Sequence, residues 1–514
     1  SLVADGAALR LRLPLPAMGP TASGTPWRLR DFDAREALAI AQIANIDLAT
    51  ARMLAARGVK AEGALAHLSP SLRNEMPDPF VLADMERATE RLACAVIGGE
   101  RIGVFGDYDV DGTTAAASLK LYFDAIGAPV SVYLPDRIAE GYGPSLAAFR
   151  ALAREGARVI VTVDCGAAAD SVIEEAAGEG FEVIVLDHHL MTGPPPRRAV
   201  AVVNPNRPDD LSGLSNLSAA GVAFMTLVAL NRRLRHAGWF AARTEPDLRQ
   251  LLDLIALGLV CDVMEIKGLS RAMVAQGLKV LGARTNAGLA ALGERCGVKG
   301  PPSAYHLGFL LGPRLNAAGR VGHARLALEL LTTGDASRRD ALADHLHRLN
   351  AERQEIEARV FEAAFEKARL CQESVVVVAG AGWHQGVIGI VAGRLREALE
   401  KPVIVIGVEG GVGKGSGRSI EGVDLGAAIA AAVMGGLASK TGGALDGILN
   451  QIGELPQSPL PIPGERPARR TAPTSAPSSG PAIESTRAPS GGSVGTQRPL
   501  PVPGEIPGLG REEN

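Results

Sequence analysis

Aromatic residues are scarce, at 4% of 514 residues, which excludes any surface that stacks flat rings densely. Cysteine is scarcer still. The five cysteines (Cys94, Cys165, Cys261, Cys296, Cys371) are scattered and form no CxxC pair. That spacing excludes a disulfide framework and a zinc ribbon, and it fits a reducing, cytoplasmic location. No apolar run approaches the roughly 20 residues of a membrane span, so no membrane partner is expected. A dominant charge is missing as well. Formal net charge is -3, so there is no global basic signature, although a basic stripe can sit on an acidic body. The N-terminal stretch "SLVADGAALRLRLPLPAMG" has no proper apolar core. It reads as an unstructured lead-in and not as a signal peptide.

What is present is a change of rhythm along the chain. Length alone suggests roughly three domains. Residues 34–68 carry apolar residues at helical spacing, with Gly58 placed as a C-cap. A proline turn and an amphipathic helix follow over residues 76–100. Then short β-branched runs alternate with Ala- and Leu-rich helical segments. The runs are "RIGVFGD", "ARVIVTVDCG" and "FEVIVLDHH". This alternation predicts βαβ units around a buried parallel sheet. Residues 248–285 read as helical, and 335–370 as one long charged helix with Leu342, Leu346, Leu349, Ile356 and Val360 on a single stripe. A second α/β unit follows, with "ESVVVVAGAGWHQG" and "KPVIVIGVEGGVGKGSGRSI" each read as a strand running into a Gly-rich turn. Beyond residue 450 the chain turns to Pro, Ser, Gly and Arg and reads as disordered.

Polar residues fall where the strands end. Asp107, Asp164 and Asp187 each close an apolar run, and Asp262 follows another. Ligands of open α/β sheets bind at that carboxyl edge. Asp107, Asp109 and Asp111 are two residues apart, so strand geometry would present them together for as long as it lasted. Gly112 would then free the chain to turn, and Thr113 or Thr114 would cap the next helix. With His188 and His189 this makes eight candidate catalytic groups. So many carboxylates cannot all stay ionised without cations. Mg²⁺ or Mn²⁺ suits oxygen-rich sites, and imidazole tips the balance toward Mn²⁺. Two such ions about 3.5–4 Å apart would make a water nucleophilic near neutral pH, which is the machinery of phosphoester hydrolysis.

"GDYDVDG", "VTVDCG", "VLDHH" and "CDVM" resemble, in order and spacing, the motifs of the DHH phosphoesterase superfamily. The likeness is closer to its RecJ-type branch of single-strand-specific 5′→3′ DNA exonucleases. "PDRIAEGYG", "GPRLNAAGR", "GWHQGVIGIVAGRL" and "GKGSGRSIEGVDLG" carry it from about residue 40 to about 440. The resemblance implies an α/β fold: a DHH catalytic domain over 76–270, a helical connector over 271–370, and a smaller DHHA1-like domain over 371–445. A lead-in over 1–75 and a tail over 446–514 complete the division. It implies a centre of two divalent ions held by Asp109, Asp111, Asp164, His188 and Asp262. Asp107 would stand close by, Asp187 would orient the histidines, and His189 would hold the scissile phosphate or the leaving oxygen.

By the same resemblance Arg137, Ser416 and Arg418 contact a 5′ phosphate, with amides of the Gly-rich turn helping. Arg314, Asn316 and Arg320 touch the strand backbone, and His384 lines a channel between domains. The substrate implied is single-stranded DNA with a 5′ end, in recombination and repair, with a helicase and a single-strand-binding protein as partners. Two other readings are a phosphodiesterase for short oligonucleotides or cyclic dinucleotides, and a DNA-binding scaffold with impaired activity. The family pattern breaks near residues 434–445. "SKTGGALDG" keeps Gly442 and Gly443 but has Ala444 where a histidine is expected. A truncation or frame change there is the expectation, with weaker hold on DNA.

Overall fold

The computed structural model describes residues 30–191 and 193–434. The expectations about the first 19 residues, the "SKTGGALDG" departure and the Pro-rich tail lie outside those residues.

Five parallel strands form the first sheet. They are β1 (Ile102–Gly106), β2 (Val130–Tyr133), β3 (Val159–Val163), β4 (Glu182–Leu186) and β5 (Ala201–Val203), in the order β2-β1-β3-β4-β5. Both faces are covered, as a parallel sheet requires. Val104, Val161 and Ile184 pack on one face beneath the helices Met85–Gly98, Val110–Ala125 and Ala219–His236. Phe105, Ile160 and Val185 pack on the other beneath Leu146–Arg154 and Asp170–Gly178. The apolar runs of β1, β3 and β4 follow from this double burial. β2 and β5 are strands additional to the three apolar runs named above. β2 is a half-buried edge, and β5 has three residues.

Chain order reverses between β1 and β3, which opens a crevice beyond their carboxyl ends. The helices Leu252–Cys261, Gly268–Gly282 and Gly312–Val321 join the first core, which continues into the long helix Ala336–Ala368 as far as Leu349. Asp335 caps that helix by accepting from the Arg338 amide. Its second half belongs to another core. Val360, Ala364 and Ala368 pack with Val376, Val391 and Val403 of the smaller α/β unit.

That unit holds β6 (Val376–Ala381), β7 (Val403–Glu409) and β8 (Val412–Arg418). β6 and β7 are parallel; β7 and β8 are antiparallel. "VGKGSGR" is therefore the β8 strand of a hairpin, and only Gly410 and Gly411 form the turn, both at positive φ. The expected Gly-rich turn with free amides is corrected accordingly. Ser416 stands opposite Val405 in the ladder.

Before the sheet, Ala34–Ala44 and Leu48–Ala55 form a small module with its own core around Ile40, Ala51 and Leu54. Gly58 ends the second helix at φ 77, with its amide on the Ala55 carbonyl and the Val59 amide on Leu54. No described helix is long and apolar enough to cross a membrane.

Candidate active site

Backbone pairing builds the acidic edge. The amides of Asp107, Asp164 and Asp187 donate to the carbonyls of Val163, Leu186 and Val203 at 3.1–3.2 Å. Each aspartate thus adds one rung to the ladder and is held where its strand stops. Asp164 sits at φ 64, a left-handed conformation uncommon outside glycine and the kind of strain that collects at functional sites.

The first motif turns in a way that period-two spacing does not describe. β1 ends at Gly106, before the first aspartate. Asp109 is the N-cap of Val110–Ala125, its Oδ1 accepting from the Gly112 amide at 3.1 Å. Thr113 and Thr114 lie inside that helix, so the expected threonine cap is corrected to Asp109. Gly112 serves close packing and not a turn, because a Cβ there would meet Asp107 backbone atoms at 2.7–2.8 Å. Asp111 faces the start of Ala219–His236, its two oxygens accepting from the Ala219 and Ala220 amides at 2.6 and 3.1 Å.

His188 is the hub. Its Nε2 lies 3.1 Å from Asp164 Oδ1, 3.4 Å from Asp262 Oδ2 and 3.9 Å from Asp111 Oδ2. Asp187 organises both histidines. Its Oδ1 accepts from the His188 amide at 2.7 Å and pairs with His189 Nδ1 at 2.7 Å, while its Oδ2 accepts from the Ala167 amide at 3.0 Å. Three overlapping groups bring ligand atoms within 4.8 Å of one another: Asp107, Asp109 and Asp164; Asp111, His188 and Asp262; Asp164, His188 and His189.

Electrostatics mark this cluster as incomplete by itself. Burial, then repulsion from Asp109, pushes Asp107 up to about 8. Burial, then Asp262 and Asp109, does the same to Asp111, also about 8. Asp164 is held well above the carboxylate range by burial and the other aspartates, and Asp262 rises to about 6 by burial and Asp109. Asp187 is held low, because the hydrogen bond and charge of His189 and the nearby amides outweigh its burial. Burial and the neighbouring His189 depress His188 to about 4, so its imidazole is neutral at pH 7. Asp107 Oδ1 is buried with no hydrogen-bond partner. An orphaned carboxylate oxygen, clustered acids and a neutral imidazole form the donor set that a divalent cation fits.

A cavity of about 320 Å³ opens above the cluster, and its opposite wall is basic. Arg137, Asn316 and Arg320 line it, as do Tyr108, Tyr142 and Cys261. Arg137 lies over the Tyr108 ring at 4.6 Å. Gly319 packs so tightly on Tyr108 that a Cβ would meet its carbonyl oxygen at 2.7 Å, which delivers Arg320 to the cavity. Burial, then Arg137 and Arg353, lowers Arg320 to about 10, and burial, then Arg137, lowers Arg418. Among the described residues, Arg137, Arg320 and Arg418 have no carboxylate within ion-pair distance. Ser416 and Arg418 converge above Gly389, where a Cβ would lie 3.1 and 3.3 Å from their side chains.

Arg314 and His384 do not line this cavity. Arg314 turns away from the cavity; its guanidinium donates to the Leu310 carbonyl at 2.8 Å and to His347 Nδ1 at 3.2 Å. His384 is the N-cap of Gln385–Leu399, accepting from the Gly386 amide at 3.1 Å, and does not line the cavity. Tyr142 was not singled out from the sequence. Its hydroxyl donates to the Asp164 carbonyl at 3.1 Å and lies 3.4 Å from His189 Nδ1. Its place inside "PDRIAEGYG", five residues after Arg137, was the available signal.

Fold and site together define a two-domain α/β protein of the DHH class. Residues 101–259 match the DHH family N-terminal domain and residues 372–445 match the DHHA1 domain. The chain is 37% identical over 410 residues to the single-stranded-DNA-specific exonuclease RecJ of Salmonella typhimurium, covering 77% of this chain and 70% of that one. It is 38% identical to the Dickeya dadantii protein of that name, over 73% of this chain and 66% of the relative. A crystal structure of exonuclease RecJ bound to manganese superposes with a TM-score of 0.61 at 36% identity, covering 71% of this chain and 89% of that one. RecJ of Thermus thermophilus in complex with Mn²⁺ gives 0.66 at 32% identity, covering 80% and 57%. The chain belongs to the RecJ family. It spans between half and about two thirds of the length of most of the curated relatives it matches.

Proposed function

We propose that the chain is a metal-dependent exonuclease that degrades single-stranded DNA from its 5′ end and releases 5′ mononucleotides in recombination and repair. One observation carries this reading: a buried carboxylate–imidazole cluster faces Arg137 and Arg320, neither of them paired with a carboxylate among the described residues, across a single cavity. Such a cavity suits a phosphodiester, whose bridging phosphate needs cations on both sides. The relatives' structures with Mn²⁺ and with Mg²⁺ support the same metals here.

In this reading Asp109, Asp111, Asp164, His188 and Asp262 hold two ions, with Asp107 beside them. Ions so held supply Lewis-acid stabilisation of the phosphoryl oxygens and lower the pKa of a water. Asp187 fixes the imidazole orientations, as partners of metal-binding histidines do. His189, half-exposed and hydrogen-bonded to Asp187, is positioned to donate a proton to the leaving oxygen. Arg320 and Asn316 grip the scissile region. Arg137, Ser416 and Arg418 take the terminal 5′ phosphate, by side chains and not by turn amides.

The test uses a 5′-phosphorylated single strand with Mn²⁺ or Mg²⁺, against a duplex and a chelator control. Mononucleotides should appear from the single strand only, and only with metal. An Asp164→Asn protein serves as the matched blank. Equal product from that blank, or with chelator present, would sink the reading.

A further inference from the structure

Few as they are, two aromatic side chains lie on the surface in parallel. Tyr305 and Phe309 are 59% and 69% exposed, and their rings stack 5.2 Å apart at 19°. They are four residues apart on one face of the segment that winds through His306–Leu311, a stretch of π-helix. Such wide turns concentrate at functional sites. Here the inner side is firmly anchored. Leu307 and Leu311 are buried, the Cys261 thiol meets the Leu307 carbonyl, and Gly308 packs against Val260. Those partners end the helix whose next residue is Asp262.

The segment runs without a break into Gly312–Val321. Phe309, Pro313, Asn316 and Arg320 follow at steps of four, three and four, which puts them on one helical face. Asn316 and Arg320 line the metal-site cavity. A single stripe therefore leads from that cavity to the aromatic pair, with Phe309 about 10 Å from Asn316 by helical rise. Large apolar rings left in water at the end of a ligand track gain nothing from folding and mark a contact surface.

We propose that Tyr305 and Phe309 form a stacking platform for unpaired nucleobases of the strand whose end lies at the metal centre. The proposal rests on the nuclease reading above. Ring faces stack on any base, so the platform is indifferent to sequence. A duplex keeps its bases stacked internally and cannot use it, so the platform favours single strands. The arginine stripe contacts backbone; the aromatic pair adds a base contact beyond it.

Equilibrium binding of the full chain to labelled single strands, in chelator to prevent cleavage, tests this with abasic sites moved stepwise from the 5′ end. The wild-type protein should lose about tenfold or more affinity when the gap falls several nucleotides in. A Tyr305→Ala/Phe309→Ala protein should bind the intact strand about that much more weakly and show no further abasic penalty. It should also cleave a dinucleotide, too short to reach the platform, at the wild-type rate. Tyr305→Phe and Phe309→Trp should restore binding. A flat abasic profile in a wild-type protein that binds and cuts single strands overturns the platform and leaves the nuclease reading standing. So does an equal loss on the dinucleotide. If the wild-type protein neither binds nor cuts single strands, the nuclease reading fails and takes the platform with it.

Discussion

Asp187 touches no cavity wall, yet both histidines depend on it. Its Oδ1 takes the His189 ring and the His188 amide at once. An Asp187→Asn protein keeps the shape but loses the charge that holds the His189 proton. Turnover and Mn²⁺ affinity should fall about 10- to 100-fold, the usual cost of losing a partner of a metal ligand, while the melting temperature changes little. A parallel fall in melting temperature would instead make the residue a fold determinant.

Asp253 makes the opposite case, a buried acid with no chemistry to serve. One oxygen accepts from the Leu254 amide at 2.8 Å; the other has no partner. Burial raises it from 3.8 to about 6. A raised carboxyl favours its neutral form in the fold. Its cost is therefore absent below about pH 4, grows as pH rises, and is complete above about pH 6. Two units correspond to about 3 kcal/mol. Asp253→Asn does not titrate, so its stability relative to wild type should climb by about that amount between pH 4 and pH 7. Urea midpoints at the two pH values check this; parallel curves would refute it.

At the scale of elements, glycines show how closely the helices approach the site. A Cβ on Gly258 would land on Asp111 Oδ1 and, at 2.7 Å, on Ala220. Gly258→Ala should cost about 1–3 kcal/mol as overpacking and should also weaken metal binding, because Asp111 must move. Gly393 sits in Gln385–Leu399 with nothing near its missing Cβ. Gly393→Ala should stabilise by up to about 1 kcal/mol through helix propensity. Thermal melts of the pair should move in opposite directions.

Elements also explain what the sequence could and could not reveal. Strands β1, β3 and β4 were legible because burial on both faces forces unbroken apolar runs. β2, half-exposed at an edge, lacks that pressure, and β5, though buried throughout, is only three residues long. β8 was hidden by its glycines, which read as a turn; Gly417 faces Leu425 so closely that a Cβ would meet it at 2.8 Å. Asp107, Asp164 and Asp187 were legible because each ends a strand, whereas Asp109 and Asp111 open a helix and Asp262 closes one. Arg314 and His384, offered by their motifs as DNA contacts, lie outside the cavity and hydrogen-bond nearby backbone groups.

For the molecule as a whole, the decisive contact joins the two α/β units beside the cavity. The carboxylates belong to the first, Ser416 and Arg418 to the second. Arg320 donates to the Gly386 carbonyl at 3.0 Å, and Lys414 of β8 donates to the Ile138 carbonyl at 3.0 Å, one residue from Arg137. Gly386 approaches the Arg320 backbone so closely that a Cβ there would fall on its carbonyl oxygen. Backbone against backbone leaves no flexible side chain to give way, so Gly386→Ala must part the units. The proposed metal ligands lie wholly on the first unit and keep their hydrogen bonds. Calorimetry should therefore find Mn²⁺ binding near wild type, while cleavage of single-stranded DNA and the preference for a 5′-phosphate over a 5′-hydroxyl end both fall. An Arg418→Ala protein should lose the end preference with the units still joined. If Gly386→Ala instead lost metal and DNA together, the junction would be part of the metal site's own support. Retained preference in both proteins would remove the second unit from substrate binding altogether.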